Sequence, residues 1–254
     1  MQAKANILGV GISPVNLGQA TERVELSIRE NRREYVCVAA AHSIMDCRRD
    51  PEVRRAFNRA AMVTPDGMSL VWCLRLLGHA QVGRVYGPDL LLALCGRSGG
   101  ATRRHLFYGG TEALLRDLSD RLRQEFPGVE IVGAIAPPFR QLTPEEDAEV
   151  IRTIGQSRAD IVWVGIGSPK QERWMAEHVG RIEAPIMIGV GAAFDFVSGH
   201  KAQAPRWVRG AGLEWLFRLL QEPGRLWGRY ARYPLFMALL AAQMLRILRF
   251  EIED

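Results

Sequence analysis

Hydrophobic residues along this chain gather in short runs, and longer stretches of helical spacing separate the runs. Apolar segments fall at 6–12 (NILGVGI), 34–40 (EYVCVAA), 104–109 (RHLFYG), 129–135 (VEIVGAI), 160–165 (DIVWVG) and 185–190 (PIMIGV), each of strand length. Helical periodicity predicts helices over 14–30, 51–60, 67–78, 88–97, 111–125, 144–157 and 169–179. This alternation predicts an α/β fold: a Rossmann-like, mainly parallel sheet with helices on both faces, plus a C-terminal helical appendage. In such folds ligands sit beyond the carboxyl ends of the strands, where glycine-rich turns collect.

The pattern changes near Pro205. Residues 1–205 read as the α/β domain, whereas 206–254 carry eight Arg and many aromatics, with no further strand. If 224–233 is one helix, Arg225, Arg229 and Arg232 share a face, opposite Leu226, Trp227, Tyr230 and Tyr233. Two readings fit such a helix. Its aromatic side packs on the core or on a second copy in a homo-oligomer, or the helix lies on anionic lipid with the apolar stretch 234–248 dipping into the interface. That stretch is too short to span a bilayer and is broken by Gln243 and Arg246. The N-terminus runs straight into a predicted strand, so no secretory leader is expected.

Composition is that of an ordinary globular protein, 48% hydrophobic and 24% charged, with a formal charge of +5. Of the 33 basic residues only Lys4, Lys170 and Lys201 are lysines, and clustered arginine suits phosphates or anionic lipid. Cys37, Cys47, Cys73 and Cys95 form no C-x-x-C pair and no pattern with histidine, so buried reduced thiols are expected and no metal site.

Three strand-end loops could carry chemistry. In GIGSPKQERWM (165–175), Gly165 and Gly167 allow close backbone approach, Ser168 is a candidate cap, and Pro169 suits a first helical turn. The helix start favours an anion, Lys170 adds a charge, and Gln171 could hydrogen-bond a sugar or base; the plain alternative is a capped helix with Lys170 and Glu172 in solvent. The loop matches neither G-x-x-x-x-G-K-[ST] nor G-x-G-x-x-G. In MVTPDGMSLVW (62–72), Asp66 sits in a Pro-Asp-Gly turn before a helix, an ordinary place for a turn or cap residue. In GVGAAFDFVSG (189–199), Gly191 opens the strand exit, and Asp195 reads as structural, held by backbone N–H groups. Asp89 at a helix start beside Arg84, and the pair Gly109 and Gly110, add further turns. Several such turns at one sheet edge imply a shared pocket. The chain has no D-x-D, which points to phosphate neutralisation by Arg, Lys and helix N-termini.

In order and spacing, TPDGMSLVW, GIGSPKQERWM, GVGAAFDFVSGHKAQAP and GLEWLFRLLQEPGRLWGRY resemble the signature blocks of the WecG/TagA/CpsF family, glycosyltransferase family 26, from Ile7 to about Tyr230. The resemblance implies an inverting, metal-independent transfer with no cofactor. The sugar would come from a UDP-sugar and go to a sugar on a polyprenyl diphosphate, at the cytoplasmic membrane face, in surface polysaccharide or teichoic acid synthesis. It implies that Asp66 is the general base, that Gln171 lies at the donor, and that Arg218, Arg225 and Arg229, with Trp227 and Tyr230, belong to a membrane-targeting appendage. His42, Arg84, Asp89, Gly109, Gly110, Gly167, Lys170, Glu172, Gly191 and Asp195 complete the expected substrate-binding set.

Two departures stand out. Where many members end the second strand with Thr and Asn, VAAAHS offers alanines and His42, which fits a donor other than N-acetylmannosamine with His42 as the polar contact. Gln203 replaces the frequent Arg before Ala-Pro. The competing functions are a nucleic-acid-binding module built on the Arg-rich end and a nucleotide-cofactor oxidoreductase. The first lacks any recognition motif or basic stripe through the body. For the second, LGVGISP (8–14) breaks the dinucleotide fingerprint and no acidic residue ends the next strand. No nucleic-acid partner is implied.

Overall fold

A computed structural model describes residues 3–97 and 103–253, with the side chains of Arg206, Arg225 and Arg229 outside the description. The run at 6–12, expected as one strand of the sheet, folds instead into a small antiparallel hairpin of β1 (Ala5–Ile7) and β2 (Val10–Ile12). Its turn places Leu8 and Gly9 at φ 52° and 87°, the consecutive positive angles of a tight hairpin turn. The first glycine of LGVGISP is therefore a turn residue.

The remaining strands form one parallel sheet. They are β3 (Glu34–Ala39), β4 (Met62–Pro65), β5 (Arg104–Tyr108), β6 (Glu130–Ile135), β7 (Ile161–Val164) and β8 (Ile186–Gly189), in the spatial order β4-β3-β8-β7-β5-β6. Strand β4 lies in a segment read from sequence as a turn. Only four residues long and ending in Pro65, it occupies a sheet edge, where a missing N–H is tolerated.

Strand side chains alternate between two cores. Tyr35, Cys37, Ala39, Val162 and Val164 face one, and Val36, Ile161 and Trp163 face the other. The second core is closed by α1 (Leu17–Arg29), α5 (Gly87–Cys95), α6 (Glu112–Glu125) and α9 (Ala193–Ser198). Facing the first are α2 (Ala41–Arg49), α3 (Pro51–Arg59), α4 (Met68–Leu76), α7 (Pro144–Ser157), α8 (Lys170–His178) and the hairpin. Helices α2 and α9 had no sequence prediction. Both are short, and α9 packs Phe194 edge-on against Phe107 at 5.5 Å, so tertiary contact rather than periodicity defines it. Helix α7 has the expected bounds because Thr143 and Glu146 form a reciprocal cap at its start and Arg158 ends it at φ 52°.

The C-terminal segment comprises α10 (Arg206–Gly210), α11 (Glu214–Gln221), α12 (Pro223–Tyr230) and α13 (Tyr233–Met244). The single helix expected over 224–233 breaks at 231–232, ahead of Pro234 in the next first turn. Arg232 accordingly leaves the expected arginine face and pairs with Asp46 of α2 at 2.9 Å. Leu226 and Tyr230 are buried while Trp227 is 67% exposed, so the aromatic side is split between the protein and its surroundings.

Gln243, the residue that interrupts the last apolar stretch, accepts from Leu8 N at 2.9 Å and donates to Asn6 O at 3.0 Å, which fixes α13 to the hairpin. Beyond it the chain runs back across the hairpin. Asn6 Nδ2 donates to Phe250 O at 2.5 Å, and Asn58 Nδ2 donates to Glu253 O at 2.7 Å. Gln243→Ala leaves two partly buried backbone groups without their partner. A loss of about 1–3 kcal/mol is expected in urea or thermal denaturation, whereas an unchanged midpoint would mean that apolar contacts alone hold α13.

Candidate active site

The carboxyl ends of β4, β3, β8 and β7 lie side by side, and the loops that leave them build the site. Asp66 follows the last residue of β4. Its N–H donates to Ala39 O at 2.8 Å and its carbonyl accepts from Arg84 Nε at 2.6 Å, so its backbone is held on both sides. The side chain enters a cleft of about 230 Å³ whose floor includes Ala40, His42, Met68 and Trp72. Arg84 Nη2 stands 3.6 Å from Asp66 Oδ1, outside hydrogen-bond range, and Oδ1 is enclosed without a hydrogen-bond partner. Burial pushes the Asp66 carboxyl up to about 6; Arg84 and Arg218 oppose the rise, and Glu214 and Asp89 reinforce it. At neutral pH the group is ionised yet a far better proton acceptor than a solvated aspartate.

The C-terminal helices form the other wall. Arg209, Gly212, Glu214, Trp215, Arg218 and the rings of Tyr230 and Tyr233 line the same cleft. Glu214 Oε2 accepts from Arg84 Nη2 at 2.5 Å, and the Arg84 guanidinium stacks 4.1 Å from the centre of the Tyr86 ring. Arg209 reaches Asp89 at 3.8 Å, and Arg218 lies over Phe196 at 5.5 Å. Trp215, Tyr230 and Tyr233 pack edge-on or tilted, with ring centres 5.3–6.0 Å apart. Of these wall residues, only Arg218 and Tyr230 were expected from sequence at the acceptor side. Glu214, Trp215 and Tyr233 stand in the C-terminal region quoted above, but nothing in one sequence shows that it folds back over Asp66.

The GIGSPK loop leaves β7, separated from Asp66 by β3 and β8. Gly167 has φ 85° with open space around its Cα, and Lys170 is exposed at the start of α8. Ser168 does not cap that helix, since Pro169 holds the capping position without a side-chain bond. Gln171 and Glu172 are buried rather than solvated. Gln171 Oε1 accepts from Gly191 N at 3.0 Å, which ties α8 and the β7 exit to the β8 loop, while its Nε2 donates to neighbouring Glu172 Oε1 at 2.9 Å within the same helix. Glu172 is 0% exposed. Burial raises its carboxyl to about 7, against the hydrogen bond from Gln171.

The other expected residues divide by position. Gly109, at φ 130°, brings the β5 exit against the β7 loop so closely that a Cβ would lie 2.6 Å from the Gly165 backbone. Gly110, at φ 79°, packs on Leu114. Both shape loops and neither lines the Asp66 cleft. Asp89 is about half exposed and pairs with Arg209 rather than with Arg84. Asp195 lies on α9, 3.7 Å from Lys201; that lysine, not backbone N–H groups, is its partner. The expectations for Arg225 and Arg229 concern side chains outside the described residues. Among the described residues no three His, Cys, Asp or Glu gather as a metal site, and no helix is long and apolar enough to cross a membrane.

Comparison with known proteins finds one family across almost the whole chain. The family model described as "Glycosyl transferase WecG/TagA/CpsF family" matches residues 5–249, from the hairpin to the C-terminal segment that crosses it. The chain is also 27% identical over 208 residues to the N-acetylglucosaminyldiphosphoundecaprenol N-acetyl-beta-D-mannosaminyltransferase of Bacillus spizizenii, covering 82% of this chain and 79% of that protein. A partly enclosed carboxylate at the carboxyl edge of a parallel sheet, walled by arginine and aromatic side chains, is thus set within a match spanning almost the whole length, and the chain belongs to the WecG/TagA/CpsF glycosyltransferase family.

Proposed function

We propose that the protein catalyses an inverting, metal-independent transfer of a sugar from a UDP-sugar to a sugar carried on a polyprenyl diphosphate, in the synthesis of a cell-surface polymer. The observation that carries this reading is the Asp66 carboxylate, enclosed in the cleft and without a hydrogen bond at Oδ1. The Bacillus relative, whose name specifies a diphosphoundecaprenol-linked acceptor, supports the choice of substrates.

In this reading Asp66 takes the proton from the acceptor hydroxyl as that oxygen attacks the anomeric carbon from the face opposite the nucleotide. The C–O bond to UDP breaks as the new glycosidic bond forms, and the configuration inverts. The donor lies along the carboxyl edge of the sheet, its sugar toward Asp66 and its UDP toward the Gly167–Lys170 loop. Three strand spacings separate the two ends, roughly 14 Å, a distance that a sugar and a diphosphate can cover. The N-terminus of α8 and Lys170 then meet the departing negative charge. Gln171, buried, acts at the donor through the Gly191 backbone it holds. His42, in the first turn of α2 and on the cleft floor, is the residue proposed to face the donor sugar.

The acceptor's lipid places the reaction at a membrane, on its cytoplasmic face in this proposal. The C-terminal segment offers the surface for it: Trp207, Leu220, Trp227, Leu245 and Ile247 are each more than 60% exposed. Apolar side chains at that exposure, interspersed with arginines, suit the boundary between lipid headgroups and acyl chains.

Asp66→Asn is expected to keep UDP binding, read by calorimetry, and to lose turnover by about 10²–10⁴-fold; wild-type turnover in that variant would remove Asp66 as the base. Because the base works only when ionised, kcat/KM should rise with pH through about 6 and level off above it. A flat profile across that range would assign the proton transfer elsewhere. The double substitution Leu220→Ser and Trp227→Ser should weaken binding to anionic liposomes in a sedimentation assay by about tenfold or more. Unchanged sedimentation would turn the exposed surface into a subunit contact.

A further inference from the structure

We propose that Glu214 is a positioning residue for Asp66: it holds the end of the Arg84 guanidinium and so prevents that cation from closing on the carboxylate. The proposal rests on the reading of Asp66 as the base and extends it to a residue outside the α/β domain.

The geometry is that of one cation shared among three partners. Arg84 Nε donates to the main-chain oxygen of Asp66 at 2.6 Å, Nη2 donates to Glu214 at 2.5 Å, and the guanidinium lies over the Tyr86 ring at 4.1 Å. With these restraints in place, Nη2 stops 3.6 Å from Asp66 Oδ1. An arginine fork left to itself pairs with a nearby carboxylate through two parallel hydrogen bonds. Such a pair would occupy the lone pairs that must receive the acceptor proton, and would stabilise the ionised form until it became a poor base. The Glu214 carboxylate is mostly enclosed, so its pull on Arg84 is only partly screened by solvent.

Glu214 opens α11, and neighbouring Trp215 anchors that helix against Tyr230 and Tyr233. The carboxylate that competes for Arg84 is therefore present only when the C-terminal helices are seated. The other titratable or charged groups around Asp66 are His42 on α2, Tyr86 before α5, Asp89 on α5, Arg209 on α10, Arg218 on α11, and Tyr230 and Tyr233 on the last two helices. Both arginines are engaged elsewhere, Arg209 with Asp89 and Arg218 over Phe196. Arg84 alone stands within ion-pair distance of Asp66 among the described residues.

The test is a titration of the Asp66 carboxyl by 13C NMR in the full-length protein labelled at aspartate, with the resonance assigned from its loss in Asp66→Asn. In Glu214→Gln the midpoint should fall below the wild-type value by about one pH unit or more, and by clearly more than the same substitution gives in an Arg84→Gln background, where only the direct repulsion from Glu214 is lost. In Glu214→Asp, whose shorter side chain keeps the charge, the shift should have the same sign and less than half the size. A wild-type midpoint in Glu214→Gln would overturn the proposal. If that variant does not fold, Glu214→Asp decides alone, and a wild-type midpoint there overturns it. Turnover of Asp66→Asn reads the base assignment separately. An active Asp66→Asn sinks that assignment whatever the titration gives, whereas an inactive one with no shift in Glu214→Gln sinks only the role of Glu214.

Discussion

One arginine joins what the chain keeps far apart. Arg84 comes from the return loop after α4, Asp66 from the end of β4, and Glu214 from a helix well over a hundred residues later, and all three meet at a single guanidinium. The two carboxylates repel each other, and neither could sit enclosed at this distance without the cation between them. Take the charge away, and the cleft would hold two partly enclosed negative groups facing each other. The junction of α11 with the α/β domain and the poise of Asp66 both depend on that one group.

The parallel sheet supplies the frame in which this can happen. Edge strand β4 ends at Pro65 with Asp66 tied to the end of β3, so the carboxylate projects from a backbone with little freedom. Gln171 does the same for the next pair of loops, joining the β7 exit to β8 through the hydrogen bond it accepts from Gly191 N.

Much of this was legible in the sequence. Strands β3, β5, β7 and β8 announce themselves as apolar runs because both their faces are largely buried, edge strand β6 shows the same run though it is only partly covered, and α7 reads to the residue because its caps are local. Strand β4 and helix α9 were missed, being too short to show a period and defined by their neighbours. The hairpin was read as one strand because seven apolar-rich residues look continuous until Leu8 and Gly9 turn the chain back. Asp66 was found through the signature block around it, since a Pro-Asp-Gly turn by itself means nothing more than a turn. Glu214 was missed for a different reason. Its partner is distant in sequence, and no periodicity or spacing links a glutamate at a helix start to an arginine 130 residues earlier. Gln171 read as a direct contact to a sugar or base, and Glu172 as a substrate-binding or solvated residue; only the packing of the β7 and β8 loops reveals that both point inward.

The crossing of the chain's last residues over the first hairpin changes what kind of object the C-terminal helices are. With Phe250 and Glu253 hydrogen-bonded to Asn6 and Asn58, the segment from 206 onward is fastened at its far end as well as at its start. It is a closed loop of chain and not a free tail. Lifting it from the cleft opens a bounded excursion, so its return is an intramolecular event at high effective concentration, and little chain entropy is lost on closing. A segment tethered in this way flexes without being released, and the wall carrying Glu214 stays within reach of Arg84.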